Sequence, residues 1–493
     1  MFVSLYISRI VLKLLGVEDF GIYNVVGGVI TLFSYINSAL TVSTQRFLTF
    51  EIGQKNLTAV KNVFCMGINI HVILAILFLL FAETVGLWIL NNYLNIPPDR
   101  LKASILVYHI SIIATFINII TIPYNSLIIA HEKMAVYAYL SIAEVLLKLG
   151  LIYCLILNLG DKLIMYALLM MVTTLIIRLS TAIYCKIKFE ESKYQFIWDR
   201  KLFKDMFAFT GWNFLGATAG ISMDQGVNIL KNMFFGPIVN ASRAIAIQVQ
   251  SAFAQLSSNF MQAVNPQIVK SYASGEIKRM MNLILYSSKY SFLIMAITSM
   301  PFLIKMEFIL NLWLTTVPEN AVIFTKLMLL YQLTICLTYS INMASQASGN
   351  IKLFQIVESV TLLFILPTSY IILKIGLPAY SVFIAMILIS SITLFLRIIV
   401  LRKIIAFDIK DFFKKVLFPI SLVSFILIIV YFLFSHFKIF NDTLFLNLLE
   451  IFIILIISAI ITYLLGLSRI EKQKIRVFIQ KKNLIIKIKN RSF

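Results

Sequence analysis

The sequence predicts an all-α polytopic membrane protein with about fourteen transmembrane helices, and its composition is the first reason. Hydrophobic residues make up 60% of the 493 residues and charged residues only 13%, with a mean hydropathy of +0.92. Soluble domains average about 45–50% apolar and about 25% charged residues. One soluble core could not hide so much apolar surface. The composition therefore excludes a soluble, disordered, collagen-like or disulfide-framework protein.

The second reason is a series of fourteen apolar runs along the chain. A helix needs about 20 apolar residues to cross the hydrocarbon core of a bilayer. Turn-forming residues such as Pro97-Pro98-Asp99 and Gly236-Pro237 separate the runs. The first run would reach only about 23 Å as a helix, so we expect the natural start to lie upstream. The runs lie near residues 1–15, 22–49, 63–91, 103–129, 136–158, 163–185, 204–233, 238–264, 282–310, 321–347, 354–374, 379–400, 412–434 and 444–466.

The third reason is the distribution of Lys and Arg between the loops. One alternate set of loops and the tail holds 28 of these residues, and the other set holds six. Because basic loops stay in the cytoplasm, we expect both termini to be cytoplasmic. This topology accounts for the net charge of +21 without a nucleic-acid partner. The tail from Ser468 to Phe493 alternates Ile and Leu with Lys and Arg, so it either lies on anionic headgroups or is a solvated topology anchor.

Nothing in the sequence indicates catalysis, a cofactor or a metal site. The longest internal connection, about 186–203, is too short for a catalytic domain, and no Walker A, GxSxG or HExxH motif occurs. Cys65, Cys154, Cys185 and Cys336 lie far apart within apolar runs, so we predict neither a disulfide nor a metal site. These observations favour a transporter over an enzyme and predict no cofactor.

An internal repeat predicts two similar halves. The segment from Gly16 resembles the one from Gly236, 220 residues later, and the segment from Tyr124 resembles the one from Ile341, 217 residues later. Each half contains six runs, which predicts two parallel lobes related by an axis along the membrane normal. The expected division is an N-lobe at 1–185, a cytoplasmic linker at 186–203, a C-lobe at 204–400, two further helices at 401–466 and a basic tail at 467–493.

Residues 8–53 closely resemble the opening of bacterial Wzx-type polysaccharide flippases, members of the multidrug/oligosaccharidyl-lipid/polysaccharide (MOP) exporter superfamily. The shared pattern is a Gly-x-x-x-[Phe/Tyr]-Gly-x-[Tyr/Phe] turn, then a helix ending near Gln-Arg-[Phe/Tyr]. It falls on Gly16, Phe20, Gly21, Tyr23, Gln45, Arg46 and Phe47. Fourteen spans, two lobes and cytoplasmic termini extend the likeness over nearly the whole chain. The chain departs from the family in its shortened first helix, and it lacks the many cavity arginines of the peptidoglycan-precursor flippases.

The resemblance implies a MATE-like fold with a central cavity and alternating access. It also implies outward translocation of undecaprenyl-diphosphate-linked oligosaccharide across the bacterial inner membrane, for O-antigen (lipopolysaccharide), capsule or exopolysaccharide assembly. The implied partners are the lipid-linked oligosaccharide, the bilayer, and the polysaccharide polymerase with its chain-length machinery. A multidrug extruder of the same fold is the alternative, and a membrane enzyme of polysaccharide assembly is a more distant one.

Polar side chains inside the seventh and eighth runs are the first candidate binding residues. They recur every three or four residues, and so share one helix face. On the functional interpretation they line a cavity and bind sugars, a coupling cation or, through Arg243, a diphosphate. On the structural one they pair within the helix, hold helices together or reach headgroups. They are Asn213, Asp224, Asn228 and Lys231 in the seventh run and Gln248, Gln255 and Asn259 in the eighth. Arg243 is a further candidate in the eighth run, but it lies five residues before Gln248 and so is off this stripe.

The first two runs supply the remaining candidates. Ser38 and Gln45 share a stripe that ends beside Arg46, which either docks a lipid-linked diphosphate or anchors the helix at the cytoplasmic surface. Arg9 lies in the middle of the first run and is a candidate cavity residue. Elsewhere, Glu144 and Lys148 have the spacing of an intrahelical ion pair. His71 and His109 are more often structural than proton-coupling in such positions.

Overall fold

A computed structural model describes residues 10–11, 14–16, 19, 22–23, 34–93, 96–157, 160–314, 317–436, 443–473 and 477. Within these ranges the regular structure is helical and contains no strand. The first half contains α1 (Ser34–Gly53), α2 (Leu57–Phe81), α3 (Leu87–Tyr93), α4 (Leu101–Ala130), α5 (Met134–Leu157) and α6 (Lys162–Lys188). The second half contains α7 (Arg200–Phe235), α8 (Pro237–Ala273), α9 (Ile277–Trp313), α10 (Ala321–Cys336), α11 (Tyr339–Ser348), α12 (Lys352–Leu363), α13 (Ile365–Lys374), α14 (Ser381–Ile405), α15 (Ile409–Phe412), α16 (Phe418–His436) and α17 (Leu444–Ile461).

Ten stretches of the described chain are long and apolar enough to cross a membrane. They match the third to sixth and the ninth to fourteenth runs predicted from the sequence, so the prediction of an all-α polytopic membrane protein is confirmed. α7 and α8 are also long, with 36 and 37 residues, but are richer in polar residues. Most of the first run lies outside the described residues, as does the first half of the second.

Single turns of π-helix interrupt several spans without ending them. Ala82–Gly86 joins α2 to α3, Phe413–Leu417 joins α15 to α16, and Thr462–Gly466 follows α17. Each such turn inserts an extra residue into the helical repeat. The residues on either side of it are therefore rotated relative to an uninterrupted helix.

The described residues form two compact units. The first contains residues 1–218, 265–277 and 346–355, and the second contains 219–264, 278–345 and 356–493. In the first unit α4 is central, because it packs against α1, α2, α5 and α6. In the second, α14 packs against α10 and α13. These units do not follow the predicted domain boundaries, and the two-lobe division stays a prediction.

Residues with positive φ recur at the intervals of the internal repeat. Gly16 and Gly236 have φ of 82° and 76°, Lys55 and Gly275 have 59° and 76°, and Glu132 and Gly349 have 59° and 78°. The members of these pairs lie 220, 220 and 217 residues apart. Because only a few per cent of non-Gly residues adopt φ above zero, Lys55 and Glu132 mark turns that the second half makes with glycine. The recurrence supports the repeat more strongly than sequence identity does.

In the first unit an arginine joins three connections between helices. Arg100 donates to both oxygens of Asp19 and, at 2.8 Å, to Oδ2 of Asp161. Asp161 also accepts hydrogen bonds from the backbone amides of Leu163 and Ile164, and so caps α6. The hydrogen bond to Asp19 raises the pKa of Arg100 above its ordinary value.

Buried ion pairs attach the last helices to the rest of the second unit. Lys305 in α9 binds Glu450 of α17 at 2.7 Å. Lys289 in α9 binds both oxygens of Glu471, at 2.6 and 2.7 Å, just beyond the last span. Glu450 and Glu471 are 1% and 3% exposed. Because unpaired buried charges are costly, these pairs fix which helices are neighbours.

Candidate functional site

Arg46, predicted to dock a diphosphate or anchor a helix, binds the end of another helix in the first unit. Its Nε donates to the carbonyl oxygen of Gln346 and its Nη2 to that of Ala347, each at 3.1 Å. Both carbonyls belong to the last turn of α11, whose C-terminal oxygens lack partners within the helix. A cation there also complements the helix dipole. Arg46 therefore joins the end of α1 to the end of α11.

Aromatic rings and a glycine hold the Arg46 guanidinium in place. Its central carbon lies 4.7 Å from the ring centroids of Phe47 and Phe50 and 5.5 Å from that of Phe209. A Cβ at Gly349 would lie 2.8 Å from Nη2. A side chain at position 349 would therefore displace the guanidinium, and the positive φ there favours glycine independently. The geometry requires both Arg46 and Gly349.

The same guanidinium lines a polar cavity of about 380 Å³ in the first unit, which we call the Arg46 pocket. Lys352 stands at its mouth, exposed, with Nζ 5.5 Å from the Trp212 ring centroid. Asp205 supplies the one carboxylate among the residues that line it. The first backbone amides of α12 lie at its edge, where a helix favours anions. The lining residues are Arg46, Phe47, Asp205, Ala208, Phe209, Trp212, Gly349, Asn350, Ile351 and Lys352.

The end of α8 makes a contact similar to the Arg46 contact, with the repeat-equivalent turn of the other half. Lys270, near the end of α8, binds Glu132 in the turn after α4 at 2.7 Å. Glu132 is the repeat equivalent of Gly349, so the ends of α1 and α8 each reach the turn of the opposite half. Gly53 at the end of α1 lies between these contacts, and a Cβ there would be 2.8 Å from both Lys270 Cα and Ala273 Cβ.

Gly53→Ala should test how closely α1 and α8 approach. An alanine ordinarily stabilises an exposed helical site by up to about 1 kcal/mol relative to glycine. At Gly53 the new methyl group meets backbone, so we expect a loss of about 1–3 kcal/mol in the free energy of unfolding. Thermal unfolding of the purified protein measures it.

Gly211→Ala is the matched control, since a Cβ at this helical position meets nothing within 4 Å. We expect it to leave stability unchanged or slightly raised. Equal effects of the two alanines would contradict the close approach at Gly53.

In the second unit, the candidate charges of α7 pair with α8 or lie buried among rings. Arg243 Nη2 donates hydrogen bonds to Asp224 Oδ1 at 2.5 Å and to the backbone carbonyl oxygen of Asp224 at 2.9 Å. Lys231 is fully buried, with Nζ 3.1 and 4.4 Å from the ring centroids of Phe383 and Phe324. Among the described residues Nζ has no hydrogen-bond partner. Asp224 therefore compensates Arg243 rather than Lys231, and the rings of the second unit stabilise the lysine.

The polar residues of α7 and α8 differ in their exposure to solvent. Asn213 is buried and accepts a hydrogen bond from Gln355 at 3.2 Å, within the first unit. Gln248, Gln255 and Asn259 are exposed, and Gln255 donates to Asn259 at 2.7 Å. Asn213 therefore has the helix-joining contact that the structural interpretation expects, while the exposed amides are available to a ligand. Their binding roles stay predictions.

The remaining candidates are placed as follows. Gln45 and Asn228 are half-buried. Arg9 and the side chain of Ser38 lie outside the described residues. Two contacts were not predicted from the sequence. They are the packing of Arg46 among aromatic rings and the position of Lys352 against Trp212. The sequence signal for the second was a basic residue following Gly349-Asn350 at a helix start.

The intrahelical ion pair predicted for Glu144 and Lys148 is confirmed, at 2.6 Å. His71 is buried and bonds to the Gly67 carbonyl oxygen at 2.7 Å, as a structural histidine does. His109 contacts Glu83 at 3.0 Å. Cys65, Cys185 and Cys336 are free and buried, and the described residues include no cluster of three His, Cys, Asp or Glu that could hold a metal.

Comparison with known proteins connects this architecture to membrane transporters. The family model described as polysaccharide biosynthesis protein matches residues 3–236. No curated protein sequence matches the chain significantly.

Solved structures that share the fold cover 82% of this chain. A point mutant of a MATE protein has a TM-score of 0.73 over 92% of its own chain at 14% identity. An outward-facing multidrug resistance MATE family transporter of the MOP superfamily has a TM-score of 0.71, also at 14% identity and over 92% of its own chain. A MOP superfamily transporter from Pyrococcus furiosus Vc1, described as having a binding pocket of reversed polarity, has 0.69, again at 14% identity and 92% coverage. The family match covers most of the first half of this chain, and the solved structures show that the chain has a MATE-like fold.

Proposed function

We propose that this transporter is a flippase that moves polyprenyl-diphosphate-linked oligosaccharide outward across the bacterial inner membrane. The observation that carries the proposal is the polysaccharide biosynthesis match on a chain with a transporter fold. A polysaccharide pathway needs its lipid-linked intermediate carried across the membrane, and a polytopic transporter supplies that step. The lipid-linked oligosaccharide, the polysaccharide polymerase and the chain-length machinery are the partners of this proposal.

The Arg46 pocket supports a diphosphate as the first group recognised. At the mouth of this pocket, Lys352 supplies a cation and the first backbone amides of α12 supply hydrogen-bond donors. The Arg46 guanidinium, held by two carbonyls, contributes fixed positive charge at its base. On the predicted positive-inside topology this pocket faces the cytoplasm, where the lipid-linked substrate is made. Exposed amides on α8 are suited to sugar hydroxyls, because amides both donate and accept hydrogen bonds.

The test of the proposed function is the leaflet distribution of lipid-linked oligosaccharide in source cells with and without the gene. We expect the intermediate to accumulate on the cytoplasmic face without it, and the intact gene to relieve the accumulation. An unchanged distribution in cells that have no redundant flippase would overturn the proposal.

Lys352→Gln tests the docking site within that experiment. A hydrogen bond to a charged group contributes about 1.5–3 kcal/mol, so we expect flipping to fall about tenfold with unchanged membrane abundance. Lys278→Gln, which removes an exposed lysine outside the pocket, is the control and should flip normally. Equal flipping by both variants would remove the Arg46 pocket from the mechanism and leave the flippase proposal standing.

Multidrug export is the second candidate, because a multidrug resistance MATE transporter shares the fold. A pump for cationic drugs would favour an acidic site. In the Arg46 pocket Arg46 and Lys352 outnumber Asp205, which favours an anionic substrate. Drug-resistance assays with and without the gene separate the two functions, since only an extruder raises the tolerated drug concentration.

A further inference from the structure

A second basic cavity lies in the second unit, apart from the Arg46 pocket, where α14 connects to α16. It is shallow, has a volume of about 900 Å³, and is lined by one face of the chain from Ile409 to Ser421, with Phe395 of α14 on the other side. Phe395 stacks against Phe413, with ring centroids 5.9 Å apart. The positive-inside rule places this connection at the cytoplasmic surface.

Polarity changes along the length of this cavity. Lys410 and Lys414 lie in the first turns of the candidate span Ile409–His436, with Phe413 between them in sequence, and Leu417 and Phe418 continue into its apolar part. Phe418 is 70% exposed. A ligand that fits therefore has an anionic end at the membrane surface and an apolar part beside α16.

The described carboxylates close to the two lysines in sequence form no ion pair with them. Asp408 accepts hydrogen bonds from the backbone amides of Lys410 and Asp411. Asp411, the carboxylate between them in sequence, binds Lys415 at 2.7 Å. Among the described residues neither Lys410 nor Lys414 takes part in an ion pair. Like charges four residues apart on one helical face repel each other. An anion between them would relieve that repulsion.

We propose that this cavity binds one anionic phospholipid of the cytoplasmic leaflet, with its phosphate between Lys410 and Lys414 and an acyl chain along Phe413, Leu417 and Phe418. Charge complementarity selects the headgroup, because basic residues at this depth attract anionic lipid. The apolar continuation selects a lipid over a soluble phosphate. The site goes beyond the transported substrate, since nothing in it depends on an oligosaccharide.

The test uses the purified full-length protein with phosphatidylglycerol or phosphatidylcholine of identical acyl chains, and native mass spectrometry counts the bound lipids. Each lysine near anionic lipid contributes roughly a factor of five to binding. We therefore expect Lys410→Gln with Lys414→Gln to weaken phosphatidylglycerol binding about 20-fold and leave phosphatidylcholine unchanged. Phe418→Ser, which keeps both charges, should weaken binding of both lipids.

The matched control is Arg402→Gln with Lys403→Gln, which removes two exposed charges from the last turn of α14, outside the cavity. It should retain the preference for phosphatidylglycerol. Equal losses in the two double variants would mean diffuse attraction to the surface and would overturn the site. If the Lys410/Lys414 variant keeps its preference for phosphatidylglycerol over phosphatidylcholine, the proposed lipid site is also overturned. The site is overturned too if the protein forms a dimer that dissociates only in this variant, because a second copy of the chain would then occupy the cavity.

Discussion

Arg46→Ala should abolish most transport and destabilise the first unit. The change removes the donors to the Gln346 and Ala347 carbonyls and the cation that packs on Phe47, Phe50 and Phe209. Leaving buried acceptors unsatisfied costs about 1–3 kcal/mol. We expect a loss of that size in unfolding free energy and at least a tenfold fall in transport, measured by thermal unfolding and by the leaflet assay.

Arg46→Lys separates charge from geometry. Lysine keeps the positive charge but lacks the planar fork that reaches two carbonyl oxygens at once. We expect it to recover part of the stability and little of the transport if the junction of α1 and α11 matters. Arg402→Ala, at an exposed position, is the control for loss of a basic residue. Wild-type stability in Arg46→Ala would contradict the role of the junction.

Glu471→Gln should destabilise the second unit by about 3 kcal/mol, because it leaves the Lys289 ammonium buried without a counter-charge. Glu471 receives hydrogen bonds from Lys289, from Tyr290 at 2.8 Å and from the Ser468 amide at 2.6 Å. Thermal or denaturant unfolding of the purified protein measures the loss. The double variant Lys289→Met with Glu471→Gln should recover most of it, because no buried charge then remains.

The pH dependence gives an independent check on the same pair. Burial raises the pKa of Glu471, but the hydrogen bonds from Lys289, Ser468 and Tyr290 outweigh burial and hold it below its ordinary value. A lowered folded-state pKa stabilises the protein above the unfolded-state value of about 4.3, and that stabilisation is lost as pH falls through the folded-state pKa. The difference in stability between wild type and Glu471→Gln should be constant above about pH 5 and shrink at lower pH. A difference that grows toward low pH would contradict the assignment.

Local sequence patterns predicted the features that depend on neighbours in the chain. Glu144 and Lys148 pair because four residues make one helical turn. Ser468 and Glu471 form a capping box, in which the Glu471 amide donates to Ser468 Oγ at 3.4 Å, and the Ser-x-x-Glu spacing could have indicated it. The alternation of Ile and Leu with Lys and Arg from Ser468 onward predicts only a basic tail.

Contacts between distant helices could not be predicted in the same way. Helical periodicity showed that Asn213, Asp224 and Lys231 share a face of α7, but not what that face meets. Asn213 binds Gln355 in the first unit, and the other two lie in the second, where Asp224 binds Arg243 and Lys231 is enclosed by rings. Periodicity fixes direction around one helix axis, whereas partners depend on how the helices pack.

By itself, the sequence determined the fold class and most of the spans, because bilayer thickness, helical period and turn residues act locally. Only the tertiary structure decided that Arg46 caps α11, that Lys352 and Trp212 share a pocket with it, and that Glu450 and Glu471 hold the last helices to α9. These partners lie tens to hundreds of residues apart. They meet because a buried charge or carbonyl must find a partner, and which one is within reach depends on the packed helices.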